Sequence, residues 1–344
     1  MNAVRALLAA LAVALGLGAI AAPVAPPEHC RGEEQTFLTY PEWFLVHSPA
    51  EYAAYVKDRA PSDFPYFGHI GQLWRSYAAV TKATREYPPN LGYHLMIMVI
   101  ATSTTVEYAL HSAYETVAGR LAELSRTRGM TDEDRYAARI AQDYVDFIRV
   151  QPWYEYDFVA KLDGLWRETS LVGPDMLRKW ERKYALTTEY GIKAIYGWLI
   201  MKATKASYDE ALPVTAIVVD RLPEGRQAQW PELKSLASLS GGAALVTVPR
   251  YAAFKRYSAT LAKVGANFRE IAGNAANARM LVTVLAPSAW HPSPDASSVL
   301  FEDPILTQPG RKRVALVVTV GGLAGALRAL DAAAGVEIEH VYDY

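Results

Sequence analysis

The texture of this chain changes at Leu212-Pro213, and that change limits its fold more than any other feature. Before it, apolar residues recur at helical spacing. After it come β-branched apolar runs of strand length: Val214 to Val219, Ala243 to Val248, Arg279 to Leu285 and Arg313 to Val320. With 344 residues, 51% of them hydrophobic, the chain is long enough to bury two cores. The expectation is an α+β protein in three parts. Residues 1–22 read as a signal peptide or membrane anchor, 23–212 as a mainly helical bundle domain, and 213–344 as an α+β domain.

From Ala243 the elements read strand, helix (Tyr251 to Ile271), strand, strand, helix (from Gly321-Gly322 to Ala334) and strand (Val336 to Tyr342). That is the βαββαβ order of a ferredoxin-like sandwich, one sheet with its first and third strands central and both helices on one face. Such a fold names no function. No repeat of fixed period is visible.

In the helical half, Ser48-Pro49-Ala50-Glu51 has the form of a helix start, with short extended pieces, Thr36 to Tyr40 and Trp43 to His47, before it. Further helices are expected over Gln72 to Tyr87 and Leu91 to Arg126. Another follows from Thr131, with acids against its positive end, to Val150, and a long one runs from Gly173 to about Ala206.

At the N-terminus, Arg5 precedes an uncharged run from Ala6 to Ala22, closed by Pro23. This pattern directs a chain to the membrane, so the expected location is the cell envelope, membrane-anchored or periplasmic, with the membrane as a partner. Cys30 is the only cysteine, and Pro27-Glu28-His29 before it does not suit lipoprotein processing. Stretches 91–110 and 185–203 approach the length of membrane spans but carry Glu107, Glu189 and Lys193. A central charge costs a lone span about 2.5–3.5 kcal/mol, unless Glu189 and Lys193, one turn apart, pair with each other. A net charge of −1 without a basic stripe gives nucleic-acid binding no electrostatic support.

Glu107, His111 and Glu115 recur every four residues, roughly opposite a small-residue face of Ala101, Thr105, Ala109 and Ala113. A carboxylate and an imidazole one turn apart can share a metal, or the carboxylate can fix the histidine tautomer. The Glu-x-x-His pairs of helical di-metal centres are missing, so no metal is assigned, and Glu107, His111 and Glu115 are the candidate ligands if one binds. Arg135, Arg139, Asp143 and Asp146 lie along one face of the next helix, the pattern of solvated ion pairs. Asp143 and Glu189 sit mid-helix among apolar residues, which makes Glu107, His111, Asp143 and Glu189 the catalytic candidates. Tyr40-Pro41-Glu42-Trp43 with His47 suits either a cleft lining or a packed edge.

There is no GxSxG elbow, HExxH, Walker loop or paired-cysteine site, and Gly321 to Gly325 lacks the glycine spacing of a dinucleotide loop. No cofactor is assigned. The pattern points to an envelope interaction or ligand-binding module. The alternatives are an enzyme with a site near Glu107 and His111, or an integral membrane protein with spans near 91–110 and 185–203.

Overall fold

The computed structural model describes residues 22–127, 129–207, 212–222, 230–293 and 297–344. The signal or anchor reading falls on residues 1–22, of which all but Ala22 lie outside the described residues.

Helices occupy the first half: α1 Gln35–Leu38, α2 Tyr40–Tyr55, α3 Tyr66–Ala83, α4 Leu91–Tyr114, α5 Arg120–Leu124, α6 Asp132–Ile148, α7 Phe158–Glu168 and α8 Met176–Ser207. A π-helical turn, Glu115–Gly119, joins α4 to α5. Thr131 and Asp134 form a capping box at the start of α6: Thr131 Oγ1 accepts from the Asp134 N–H, and the Asp134 carboxylate accepts from the Thr131 N–H. Neither Thr36 to Tyr40 nor Trp43 to His47 is extended, since these residues fall in or between α1 and α2. Pro41 sits in the first turn of α2, where its missing N–H has no partner to lose, and the helix runs through Pro49, so Ser48 is interior and caps nothing.

The second half carries β1 Val214–Val219, β2 Lys234–Ser238, β3 Ala244–Pro249, α9 Ala252–Lys263, β4 Phe268–Ile271, β5 Asn274–Ala275, β6 Arg279–Pro287, β7 Ser298–Pro304, β8 Arg311–Thr319, α10 Leu323–Ala332 and β9 Glu337–Val341. These strands form two antiparallel sheets, ordered β2-β3-β1-β4-β5 and β7-β8-β6-β9. The α+β class therefore holds, but the single βαββαβ sandwich does not: β3 belongs to one sheet and β6, β8 and β9 to the other. Two features divide them. β1 pairs with β3, and the stretch read as the end of a helix is strand β4, because α9 stops at Lys263 before Gly265, whose φ of +86° glycine adopts without strain.

The two sheets are one βββαβ succession used twice, β1-β2-β3-α9-β4 and β6-β7-β8-α10-β9. Each places its second, third, first and fourth strands in that order, with the first and third central. The repeat is one of topology and leaves no period in the sequence.

Side-chain alternation divides the core. Met280, Val282 and Val284 of β6 and Val314, Leu316 and Val318 of β8 face α9 and α10, where Ile217, Val219, Val246 and Val248 of the first sheet join them. Leu281 and Ala315 point the other way, into a core shared with Phe37, Tyr40, Phe44, Leu73 and Ile97 of the helical layer. The far face of the first sheet is crossed by residues 24–31. Ala25 packs on Ala216, Val218 and Leu245, and the Val24 and Ala25 N–H groups donate to the Glu270 carboxylate at 2.8 and 2.7 Å.

Residues 91–110 and 185–203 are helical, but among the described residues no helix is long and apolar enough to cross a membrane. The alternative of membrane spans at these positions is therefore not met, because polar and charged residues interrupt both segments.

Candidate functional site

Helices α4 and α8 run antiparallel, with Ser103 opposite Tyr196, His111 opposite Glu189 and Glu115 opposite Arg182. In their seam, Glu107, His111 and Glu189 each bring one ligand-type atom within 4.8 Å of the others. Three of the four catalytic candidates thus meet. Lys193 joins them, its Nζ 3.0 Å from Glu107 Oε1 and 2.6 Å from Glu189 Oε1. The pairing of Glu189 with Lys193, one turn apart, is the arrangement considered from spacing alone. Burial pushes the Glu189 carboxyl up, but Lys193 and His111 outweigh it and hold it at about 2. The Lys193 ammonium is held charged by both carboxylates despite burial. His111 stacks on Tyr66 at 5.7 Å between ring centres, and its Nε2 lies 3.9 Å from Glu107 Oε1, an ion-pair distance too long for a hydrogen bond. The donor set suits a divalent cation, yet the ammonium already occupies the same oxygens.

Asp143 does not join this cluster. It accepts from Tyr156 Oη at 2.5 Å and pairs with Lys161 at 2.8 Å, and these bonds lower its carboxyl. Arg139 bonds Glu168, Arg135 bonds Asp132, and Asp146 bonds Arg149, all at the surface. Arg135, Arg139, Asp143 and Asp146 line, with Lys57, an open depression of about 520 Å³. Glu115 also leaves the stripe: it turns inward to Arg182 at 2.8 Å, and burial raises its carboxyl against that pull. Gly119 permits this, since a Cβ there would collide with Glu115 Oε2.

A larger buried constellation lies between α2, α3 and the second sheet, and sequence reasoning missed most of it. Arg313 of β8 donates Nε and Nη2 to Glu339 at 2.6 and 2.8 Å and Nη2 to Glu51 at 3.0 Å. His47 lies between Glu339, 3.3 Å from its Nδ1, and Tyr342 Oη, 3.2 Å from its Nε2. Ser48 Oγ is 2.9 Å from His69 Nδ1 and 2.7 Å from Tyr108 Oη. A Tyr108 hydroxyl donating to Ser48, and Ser48 to His69 Nδ1, leaves the ring hydrogen on Nε2, aimed at Glu51 Oε2 at 3.6 Å. Neither of those last two atoms has a hydrogen-bond partner among the described residues.

Burial pushes Glu51 up to about 7 against the pull of Arg313, and His47 and His69 down to about 3. The Ser-His-Glu succession resembles a nucleophile relay in residue types alone. Ser48 is 1% exposed and His69 fully buried, so no substrate reaches them in this conformation. Of the sequence cluster near Trp43, His47 enters this network, Trp43 stacks on His340 at 3.6 Å, and Glu42 accepts from Tyr93.

The outer side of the α4–α8 pair is apolar. Along α4 and α5, Leu91, Leu95, Val99, Val106, Leu110, Val117, Leu121 and Leu124 are exposed, Leu91 by 74% and Leu124 by 77%. Along α8 the same holds for Leu177, Trp180, Tyr184, Ile192, Ile195 and Leu199. At 100° per residue, Val99, Val106 and Leu110 of α4 lie about 80–120° to one side of Glu107 and His111, and Ile192, Ile195 and Leu199 of α8 about 80–140° to one side of Glu189 and Lys193, and because the helices are antiparallel both sets fall on the same side, whereas Leu91 and Trp180 lie nearly opposite the seam. A comparison with known protein families, curated proteins and solved structures finds no match to this chain.

Proposed function

We propose that this chain is a membrane-docked module of the cell envelope whose helical layer lies against lipid through the joined apolar stripes of α4–α5 and α8. The observation that carries this reading is the size of that face. More than a dozen large apolar side chains, each around half exposed, amount to on the order of 1,000 Å², where the largest patch on a typical monomer is about 300–600 Å². Trp180, Tyr184 and Trp198 add rings with one polar end, the type enriched at the lipid–water boundary. The seam charges are paired internally, and the face is oriented for lying in the interface rather than crossing it. The apolar run at residues 6–22 supports the same compartment.

Vesicle flotation of the chain from Ala22 onward, which keeps every described contact, tests the proposal. Leu110 is 66% exposed. Its burial contributes about 1–2 kcal/mol, so Leu110→Glu weakens binding at least about tenfold, and Ile195→Glu does the same. A lipid-free dimer that leaves vesicles unbound, and that these substitutions dissociate, would assign the face to a second copy and reject lipid.

A further inference from the structure

Two carboxylates and an imidazole meet at one point of the α4–α8 seam, and that point already holds a cation, the ammonium of Lys193. Glu107 and His111 stand one turn apart on α4. Glu189 reaches them from α8, in the place that spacing alone gives to Glu115, which pairs with Arg182 instead. The Tyr66 ring lies nearly parallel to the imidazole, at 9° and 5.7 Å, and fixes its plane.

The ligand-type atoms of the three lie within 4.8 Å of one another, with His111 Nε2 3.9 Å from Glu107 Oε1. On a tetrahedral zinc-type ion, with each ligand about 2.0–2.2 Å from the metal, neighbouring ligands are about 3.4 Å apart. Side-chain torsions close that difference with both helices left in place.

Lys193 stands in the way, and its ammonium has somewhere to go. Its Nζ lies 5.8 Å from the centre of the Tyr144 ring and 5.9 Å from that of Phe158, both within cation–π reach. A swing toward those rings frees Glu107 Oε1 and Glu189 Oε1 without stranding the ammonium. The Glu107 side chain is 42% exposed and that of His111 27%, so an ion can enter from solvent and a water can take the fourth position. Charge favours the exchange, because the ammonium offsets one carboxylate and a divalent ion offsets both. An imidazole among the ligands selects a zinc-type ion over magnesium or calcium, which prefer oxygen alone.

We propose that Glu107, His111 and Glu189 form a binding site for one divalent transition-metal ion of the zinc type, with Lys193 as its built-in competitor. The site does not depend on lipid docking.

Titration of the chain from Ala22 onward with zinc, in metal-stripped buffer without lipid, tests it. Calorimetry should find one zinc ion bound per chain, with a micromolar or tighter Kd that millimolar magnesium leaves unchanged. Glu107→Gln, His111→Gln and Glu189→Gln should each weaken binding at least about tenfold. Lys193→Met, which removes the competitor, should tighten it several-fold. Zinc should also raise the melting temperature of the parent and of Lys193→Met but not of His111→Gln, a readout that survives a loss of stability in any variant. No stoichiometric zinc in the parent, or zinc bound as tightly by His111→Gln, would overturn the proposal. So would Lys193→Met binding no more tightly than the parent. Zinc taken up by Lys193→Met alone would overturn it as well, and assign the seam to its own lysine.

Discussion

Arg313→Met removes the one cation that serves both Glu51 and Glu339. The arginine side chain is 3% exposed and methionine nearly matches its length, so the substitution deletes charge and donors with little change of packing. It strands two buried carboxylates, whose side chains are only 8% and 12% exposed. Burial raises the Glu339 carboxyl, yet Arg313, with help from His47, brings it to about 2 from an ordinary 4.5. Forfeiting that depression is worth about 3 kcal/mol at roughly 1.4 kcal/mol per pH unit, and breaking one side of a buried pair independently suggests about 3–5 kcal/mol. The expected loss at pH 7 is therefore about 3–4 kcal/mol, a large share of a typical domain's stability.

The sign is fixed by the direction of the Glu339 shift. A carboxyl lowered in the fold stabilises fully above its unfolded value and loses that contribution as pH falls toward 2, so the gap between parent and variant narrows below about pH 4.5. Urea unfolding at several pH values measures it. The triple variant Arg313→Met, Glu51→Gln, Glu339→Gln, which leaves no stranded charge, should recover most of the loss. A single variant within 1 kcal/mol of the parent at pH 7, or a triple variant no better than the single, would refute the reasoning.

Two further outcomes are expected. His47 and His69 sit near 3 in the fold, so their stabilisation is complete above about pH 6.5 and drains away on acidification. Glu51, raised to about 7, takes up its proton in the fold and works against them between about 7 and 4.5. Burial lowers His340 as well, so three histidines outweigh Glu51 and stability falls on acidification below 6.5; His69→Gln should remove about one proton from that slope, near 1.4 kcal/mol per pH unit, between pH 4.5 and 6.5, whereas an unchanged acid profile would discard the assignment. Separately, a fragment of residues 213–344 exposes Leu281, Ala315 and Tyr342, which the helical layer covers, and leaves Arg313 without Glu51. Calorimetry should find it aggregating, or melting well below the full chain; a fragment as stable as the whole would deny that the shared core matters.

What the sequence made legible was local. The box before α6 could be read because Thr131 and Asp134 are three residues apart, and the Glu189–Lys193 pair because it spans one turn. Glu107 and His111 were visible as neighbours, though spacing could not say that Glu189 would face them or that Asp143 would turn to α7. The buried network was hidden because it joins distant parts of the chain, Glu51 and Arg313 being 262 residues apart. Its residue types also serve commoner purposes. Ser48-Pro49-Ala50-Glu51 carries the marks of a helix cap, and only the tertiary fold turns Ser48 toward His69 and Glu51 toward Arg313. The doubled βββαβ unit was missed because strands buried on both faces read as continuous apolar runs, while β2, mostly exposed, has almost no hydrophobic signature.

The grip of Glu270 on the Val24 and Ala25 amides sets a tether length. Only Pro23 separates Ala22, the last residue of the apolar run, from the first pinned amide, and two residues of extended chain reach about 7 Å. If the run stays in the bilayer, the β4 end of the first sheet hangs within about one strand-to-sheet spacing of the headgroups, with no swivel room. If a peptidase removes the run near Ala22, it must act before Val24 docks, because the folded chain offers no slack to thread into an active site. Processing and folding would then be ordered in time, the cut first and the strap second.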